Sequence, residues 1–268
     1  MKYLLVLVLF VLELFSSVLE STIISVDNEK NIATIEIEKI DVGMSGFIVH
    51  KFTKNHSSIL KNVVVENFDN KSKIATLKMS NYDDLKHNAL PYGLWKVQVG
   101  DTAVLAFGYS RAVLIAPDTE IYHTITRNAS SIQWIHPDIF ASLLSSNGHP
   151  TPLKEDFDKM SITSTVGLYF FYLEQKLFTI DARSFIILNI SDIKMQQKDT
   201  KLPFYSRVDE IDEAWWGEGS DPLTDYSPHY YKLLVTYNKN NKNLLEIIQN
   251  GGEKLQFLLK EFEIEDEL

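Results

Sequence analysis

Cysteine is absent from all 268 residues of this sequence. Without thiols the protein has no disulfide bond, thiolate-bound zinc, iron–sulfur cluster, cysteine nucleophile or lipid-modified N-terminal cysteine. A P-loop and a G-x-G-x-x-G motif are also missing, so the sequence has no recognisable cradle for a nucleotide phosphate. A chain of this length can nevertheless bury a core without covalent cross-links.

Basic residues are scarce relative to acidic ones. The chain carries 26 Lys and Arg against 36 Asp and Glu, which gives a formal net charge of −10. Nucleic acid and anionic lipid surfaces repel such a charge, so we expect neither as the main partner. The apolar share of 45% and the charged share of 23% are typical of a globular protein and exclude a wholly disordered chain.

The N-terminus has a hydrophobic run, but a short one. Lys2 is the only charged residue before Glu13, and Tyr3–Leu12 is an unbroken apolar segment. A basic start followed by about 7–15 apolar residues is typical of a secretory signal peptide, whereas a bilayer span needs about 20. We therefore predict a signal peptide over residues 1–21.

Two cleavage positions fit this segment, one after Ser17 and one after Ser21, and an uncleaved membrane anchor is the alternative. An exported, acidic protein without cysteine fits the envelope of a Gram-negative bacterium. We expect it in the periplasm or on the outer cell surface. Contact with the membrane is expected only through the export signal or the anchor.

Short strands dominate the predicted structure of residues 22–107. β-Branched residues recur in segments that turn residues separate, a pattern typical of a small β-barrel or β-sandwich. The predicted strands are Thr22–Val26, Asn31–Ile37, Phe47–Phe52, Val63–Phe68, Ile74–Met79 and Ala103–Phe107.

Strands alternate with short helices over residues 108–200, which predicts a mixed α/β domain. Residues 201–268 are expected to form a strand, helices and an acidic tail packed on that domain. The strand is placed at Phe204–Ile211, and a helix is predicted to begin at Pro228 with Ser227 as its cap. The predicted fold class is α+β: an N-terminal small β-barrel or sandwich, then a mixed α/β domain with C-terminal helices.

Four polar residues could form a site with chemistry. His136 and Asp138 lie before one predicted helix, and His149 and Asp156 lie after it. Two imidazoles with a carboxylate can bind a metal or act as an acid–base pair, although no H-x-x-x-H or H-E-x-x-H spacing is present. The bland interpretation is a helix capped by Asp138 with His149 in a loop. An envelope hydrolase or metal-dependent enzyme that uses these four residues is our alternative function.

Aromatic residues cluster near the C-terminus. Such side chains anchor ligands and partners, or dock a helix onto its domain, and both interpretations remain open. The residues are Trp215, Trp216, Tyr226, Tyr230, Tyr231 and Tyr237.

Several segments resemble the N-terminal domain of the PgbA-type plasminogen-binding protein family of Gram-negative bacteria. The most distinctive extends from Trp134 through His136-Pro137-Asp138 to Gly148-His149-Pro150-Thr151-Pro152. The resemblance covers roughly residues 22–220. The other matching segments are Gly43–Phe52, Ala112–Pro117, Leu177–Asp181 and Pro203–Val208.

The resemblance implies an exported, non-enzymatic protein that binds a protein partner, with host plasminogen as the partner for which the family is named. It implies no catalytic residue, cofactor or metal. The family-motif surface would consist of Trp134, His136, Asp138, His149 and Asp156.

Plasminogen capture implies a lysine site on the captor, because kringle modules hold an ammonium and a carboxylate together. The candidate residues here are Lys254 and Lys260, which have acidic neighbours on the last predicted helix. An ordinary solvated helix face is the alternative interpretation.

Overall fold

A computed structural model describes residues 18–84 and 95–262. These residues fall into two compact units, one ending at Ser110 and the other beginning at Arg111. Residues 201–262 belong to the second unit, and the finer divisions at 107/108 and 200/201 stay predictions. Most of the predicted signal peptide and the end of the acidic tail lie outside the described residues.

The first unit is a closed antiparallel barrel with the strand order β1-β2-β5-β4-β3-β6. Alternate residues point inwards, as in β2, where Ala33 and Ile35 are buried between less buried neighbours. The barrel closes where β1 pairs with β6, with Leu19 opposite Leu105. The six described strands are β1 (Leu19–Asp27), β2 (Ile32–Glu36), β3 (Ser45–Thr53), β4 (His56–Asp69), β5 (Ile74–Asn81) and β6 (Thr102–Leu105).

Gly46 permits this closure on the other side of β6. A Cβ atom at this position would lie 2.1 Å from the carbonyl oxygen of Val104. Only glycine allows β3 and β6 to approach so closely.

The second unit contains a five-stranded sheet with the order β11-β10-β9-β7-β8. Strand β7 is parallel to both of its neighbours, and β9, β10 and β11 are antiparallel. Every residue of β9 is buried, as expected for a strand covered on both faces. The strands are β7 (Arg111–Ile115), β8 (Gln133–Trp134), β9 (Leu168–Leu173), β10 (Lys176–Asp181) and β11 (Ile187–Asp192).

Helices cover this sheet and extend to the end of the described chain. The described helices are α1 (Thr119–Asn128), α2 (Pro137–Asn147), α3 (Lys154–Ser164), α4 (Tyr226–Tyr237), α5 (Lys242–Gln249) and α6 (Glu253–Glu261). None of them is long and apolar enough to cross a membrane. The predicted α+β class is therefore confirmed, with a barrel rather than an open sandwich in the first unit.

Tyrosines attach α4 to the core of the second unit. The Tyr226 hydroxyl donates to the carbonyl oxygens of Ile115 and Tyr172 at 3.1 and 3.2 Å, and the Tyr230 hydroxyl donates to Pro203 at 2.8 Å. Tyr231 is also fully buried. These three tyrosines therefore dock a helix and form no open ligand-facing surface.

Two local predictions are wrong. Residues 204–211 form no strand. The Lys201 ammonium donates hydrogen bonds to the carbonyls of Ser206 and Val208 at 2.6 and 2.7 Å, so a side chain replaces the neighbouring strand that would otherwise pair with them. Helix α4 begins at Tyr226, so Asp225 rather than Ser227 occupies the N-cap position.

Candidate binding surface

The family motif begins at the start of α2, where His136 is the N-cap. Its Nδ1 accepts a hydrogen bond from the backbone N–H of Asp138 at 3.2 Å. Burial lowers the pKa of His136, which favours the neutral ring that this bond requires. The imidazole therefore stabilises the N-terminus of α2.

Asp138 binds a residue far along the chain. Its carboxylate accepts two hydrogen bonds from Arg207, one from the backbone N–H and one from Nε, both at 2.7 Å. Desolvation opposes the ionisation of Asp138, but the bonds from Arg207 outweigh it, and the pKa lies below its usual value. The charged carboxylate therefore fixes the beginning of an exposed segment, residues 207–221, which we call the aromatic loop.

The end of α2 holds the middle of the aromatic loop. The Ser145 hydroxyl donates to the Asp212 carboxylate at 2.7 Å and accepts from the Asp212 backbone N–H at 3.0 Å. The Gly148 carbonyl accepts from the N–H of Ala214 at 3.0 Å. Gly148 has a φ of 72°, and a Cβ there would lie 2.6 Å from the Cβ of Ala214. Both the conformation and the close approach require glycine.

Thr151 holds the far end of the aromatic loop. Its backbone N–H donates to the carbonyl of Gly219 at 3.1 Å, and its hydroxyl donates to the carbonyl of Asp221 at 2.7 Å. The loop is therefore attached to the domain before, between and after its exposed residues. We refer to residues 136–156, which provide these contacts, as the clamp.

A buried carboxylate makes the clamp rigid. Asp156 is 1% exposed, and its oxygens lie 2.9 and 3.0 Å from Nδ1 of His149. The same carboxylate accepts from Nδ2 of Asn147 at 2.7 Å and from the Leu153 backbone N–H at 2.9 Å. These bonds fix the turn between α2 and α3, from which Gly148 and Thr151 reach the aromatic loop.

Two tryptophans stand at the tip of the aromatic loop. Trp215 is 95% exposed and Trp216 is 80% exposed. Large aromatic side chains in this state are characteristic of interaction surfaces, where they become the central anchors.

The surroundings of the tryptophans are acidic. From Val208 to Asp221 the sequence has six acidic residues and no basic one. All six are exposed: Asp209, Glu210, Asp212, Glu213, Glu218 and Asp221.

The four polar residues of the alternative prediction form two pairs rather than one group. Nδ1 of His136 lies 3.1 Å from Asp138, and Nδ1 of His149 lies 2.9 Å from Asp156. Within residues 18–84 and 95–262, no three His, Asp or Glu side chains come together as a metal-binding group. Each pair instead lies at the start of a helix, His136 and Asp138 at α2 and His149 and Asp156 at α3.

The remaining candidate residues lie elsewhere. Trp134 is half-buried, and its Nε1–H donates to the carbonyl of Ala129 at 3.0 Å. The Lys254 ammonium lies 3.0 Å from the Asp225 carboxylate, and both side chains are exposed. Lys260 is exposed and makes no ion pair with any described residue.

Sequence reasoning did not find the partners of the clamp. Asp138 and Arg207 are 69 residues apart, and Ser145 and Asp212 are 67 residues apart. The one available signal was the tryptophan pair within an uninterrupted acidic segment.

The fold and this surface define a two-unit α+β protein, a barrel unit and an α/β unit that presents a fixed aromatic loop. The family model described as "Plasminogen-binding protein pgbA N-terminal" matches residues 18–234. The chain therefore belongs to this family.

Two curated relatives agree with this assignment. The plasminogen-binding protein PgbA of Helicobacter pylori strain J99 is 27% identical over 225 residues, covering 82% of this chain and 48% of the relative. PgbA of H. pylori strain 26695 is 27% identical over 221 residues, with coverages of 81% and 47%. The chain thus spans about half the length of the curated relatives it matches. No solved structure matches.

Proposed function

We propose that the protein is an exported, non-enzymatic binding protein that contacts a protein partner through the aromatic loop. The observation that carries this proposal is the exposure of Trp215 and Trp216, at 95% and 80%, on a loop held by the clamp. Family membership supports the same kind of function, because both curated relatives are named as plasminogen-binding proteins.

The energetics favour association. An aromatic side chain buries about 150–250 Å² in an interface. At about 25 cal/mol per Å² of apolar surface, the two indoles together contribute roughly 8–12 kcal/mol before the costs of association. The clamp reduces one of these costs, because a loop that is already ordered loses little conformational entropy on binding.

Plasminogen is the partner we propose, and Lys254 and Lys260 are a second candidate contact. Lys254 presents an ammonium 3.0 Å from the carboxylate of Asp225 on an exposed surface. This pairing offers both charges that a kringle module recognises. The ion pair itself is exposed and contributes at most about 1 kcal/mol to stability, so it can be removed without unfolding the protein.

A binding experiment separates the two contacts. The protein is immobilised and plasminogen is applied with and without a lysine analogue. Trp215→Ala/Trp216→Ala should weaken binding at least tenfold if the aromatic loop is the contact, and Lys254→Ala/Lys260→Ala should abolish the analogue-sensitive part. Trp95→Ala is the matched control, because Trp95 is an exposed tryptophan of the barrel unit.

Each outcome has a definite meaning. Unchanged binding by the tryptophan variant refutes the aromatic loop as the contact, and unchanged binding by the lysine variant removes Lys254 and Lys260. Absence of binding by the parent protein refutes plasminogen as the partner.

For export, we propose cleavage after Ser17 rather than after Ser21. Strand β1 starts at Leu19, and Leu19, Glu20 and Ser21 pair with Leu105, Val104 and Ala103 of β6. A cut after Ser21 would remove three of the four pairs that close the barrel, whereas a cut after Ser17 leaves them all. N-terminal sequencing of protein from the cell envelope should find Val18 first, and a Thr22 N-terminus would refute this site.

A further inference from the structure

Trp215 and Trp216 lie in a short segment that is held at both ends. On one side, the backbone N–H of Ala214 donates to the clamp at 3.0 Å. On the other side, the Ser220 hydroxyl donates to the carbonyl of Gly217 at 2.7 Å and closes a turn. The two indoles are 95% and 80% exposed and make no ring contact with any residue that the structure describes. The loop therefore presents two unpartnered aromatic faces on an ordered backbone.

The carboxylates beside the tryptophans have no counter-ion. Glu213 and Glu218 each stand two residues from the tryptophan pair. Both are exposed, and neither forms an ion pair within residues 18–84 and 95–262. Arg207 is the one basic residue of the aromatic loop, and it is already paired with Asp138 at 2.7 Å. The tip of the loop therefore carries uncompensated negative charge.

The aromatic faces attract the same kind of group as the carboxylates. An aromatic ring has a negative face and a positive edge, so a cation placed over an indole face is attracted to it. A guanidinium group can stack flat on the ring while its N–H groups donate to neighbouring carboxylates. The tryptophan pair and the acidic residues around it thus suit an organic cation in combination.

Other occupants fit this surface less well. An uncharged apolar partner would cover the tryptophans, but it would also remove water from the adjacent carboxylates without pairing them, which is unfavourable. Nucleic acid and anionic lipid carry charge of the same sign as the loop and are repelled by it. A second copy of this chain would bring two identical negative loops together, which is unfavourable for the same reason.

We propose that the partner of the aromatic loop presents a basic segment, whose arginine or lysine side chains stack on Trp215 and Trp216 and pair with Glu213 and Glu218. This inference rests on the proposed function, in which the loop contacts a protein partner, and adds the chemistry that the loop selects. Association is then steered by charge, so both the rate of encounter and the affinity fall as salt screens the contact.

NMR spectroscopy of the full chain tests the proposal through the indole N–H signals of its four tryptophans. Trp215→Phe and Trp216→Phe assign the two signals of the loop. A capped peptide of arginines separated by glycines is the probe. Matched peptides carry citrulline, which keeps the shape of arginine without its charge, or leucine. We expect only the arginine peptide to shift the two loop signals saturably, with the signals of Trp95 and Trp134 unchanged.

Charge variants connect this binding to the loop. Glu213→Gln/Glu218→Gln should weaken binding of the arginine peptide about threefold to tenfold, because two exposed ion pairs are lost. Glu29→Gln/Glu66→Gln is the matched control, since it removes the same charge from exposed positions of the barrel unit, and it should leave the affinity unchanged. Raising the ionic strength from about 0.1 M to about 1 M shortens the screening length from about 10 Å to about 3 Å and should weaken binding to the parent about tenfold.

Three results would overturn the proposal. They are no shift of either loop signal up to about 10 mM arginine peptide, equal binding of the citrulline or leucine peptide, and parent-like affinity of Glu213→Gln/Glu218→Gln. The plasminogen experiment decides the proposed function separately. If Trp215→Ala/Trp216→Ala weakens plasminogen binding while the peptide result is negative, the aromatic loop remains the contact and only the basic segment is refuted.

Discussion

Removing the hydroxyl of Tyr231 should stabilise the protein. The group is buried without a hydrogen bond, so the folded state has lost its hydration and gained nothing in return. An unsatisfied buried polar group costs about 1–3 kcal/mol. Tyr231→Phe keeps the ring and its edge-on contact with Phe178 at 5.8 Å, so no cavity forms. We expect the free energy of unfolding to rise by about 1 kcal/mol or more.

Tyr230→Phe is the matched control and should have the opposite sign. This neighbouring ring is equally buried, but its hydroxyl donates to the Pro203 carbonyl at 2.8 Å. The substitution leaves that carbonyl without its donor and should lower the free energy of unfolding by about 1–2 kcal/mol. Each variant removes a tyrosine hydroxyl from the same helix, and the two differ only in whether that hydroxyl has a hydrogen-bond partner.

Urea denaturation measures both effects. With a slope of about 2 kcal/mol per molar urea, 1 kcal/mol moves the midpoint by roughly 0.5 M. The Tyr231→Phe midpoint should rise and the Tyr230→Phe midpoint should fall, with unchanged slopes. Equal decreases for the two variants would refute the reasoning, because they would mean that the Tyr231 hydroxyl has a partner in solution.

Two further predictions concern the clamp. Gly148→Ala should destabilise the second unit by about 1–2 kcal/mol because of the left-handed backbone alone, and by more because the new Cβ would lie 2.6 Å from Ala214. Proteolysis of the aromatic loop should therefore become faster. Gly252→Ala is the control, because a Cβ there meets no atom within 4 Å, and it should leave the rate of proteolysis unchanged. Burial lowers the pKa of His136 below 6.5, so the unfolded chain takes up the proton first and stability falls as the pH drops through 6.5 towards the folded-state pKa. His136→Asn keeps an acceptor at the N-cap position but removes the titrating group. Between about pH 7.5 and about pH 5.5, the melting temperature of this variant should fall by less than that of the parent protein. An equal fall would exclude His136 as a cause of the pH dependence.

Much of the fold could be predicted from local patterns. Alternating β-branched segments between turn residues predicted the six barrel strands. The polar residue before α1, Asp118, is of a type that caps helices, and its carboxylate accepts from the Ile121 N–H at 2.8 Å. Four consecutive apolar residues, Ala112 to Ile115, form most of β7, and all four are buried, as such a run indicates. These features depend on residues close together in sequence, which is why periodicity and caps indicate them.

The strand predicted at 204–211 failed for a reason that is not local. Its backbone carbonyls are satisfied by the Lys201 ammonium, and the Tyr205 N–H donates to Ala116 at 2.7 Å just beyond the end of β7. Phe204 stacks on Phe140 at 5.3 Å in the core. A local pattern could not indicate which groups would satisfy the backbone here.

The amino-acid sequence by itself determined the absence of thiol chemistry, the acidic charge, the α+β class and the membership of a family. Tertiary structure decided what the aromatic and polar residues do. Tyr226, Tyr230 and Tyr231 became buried while Trp215 and Trp216 remained exposed, although all five lie within one short aromatic-rich stretch. The reason is that burial and hydrogen bonding depend on groups brought together from distant positions, such as the clamp and the aromatic loop, and no local pattern encodes those distances.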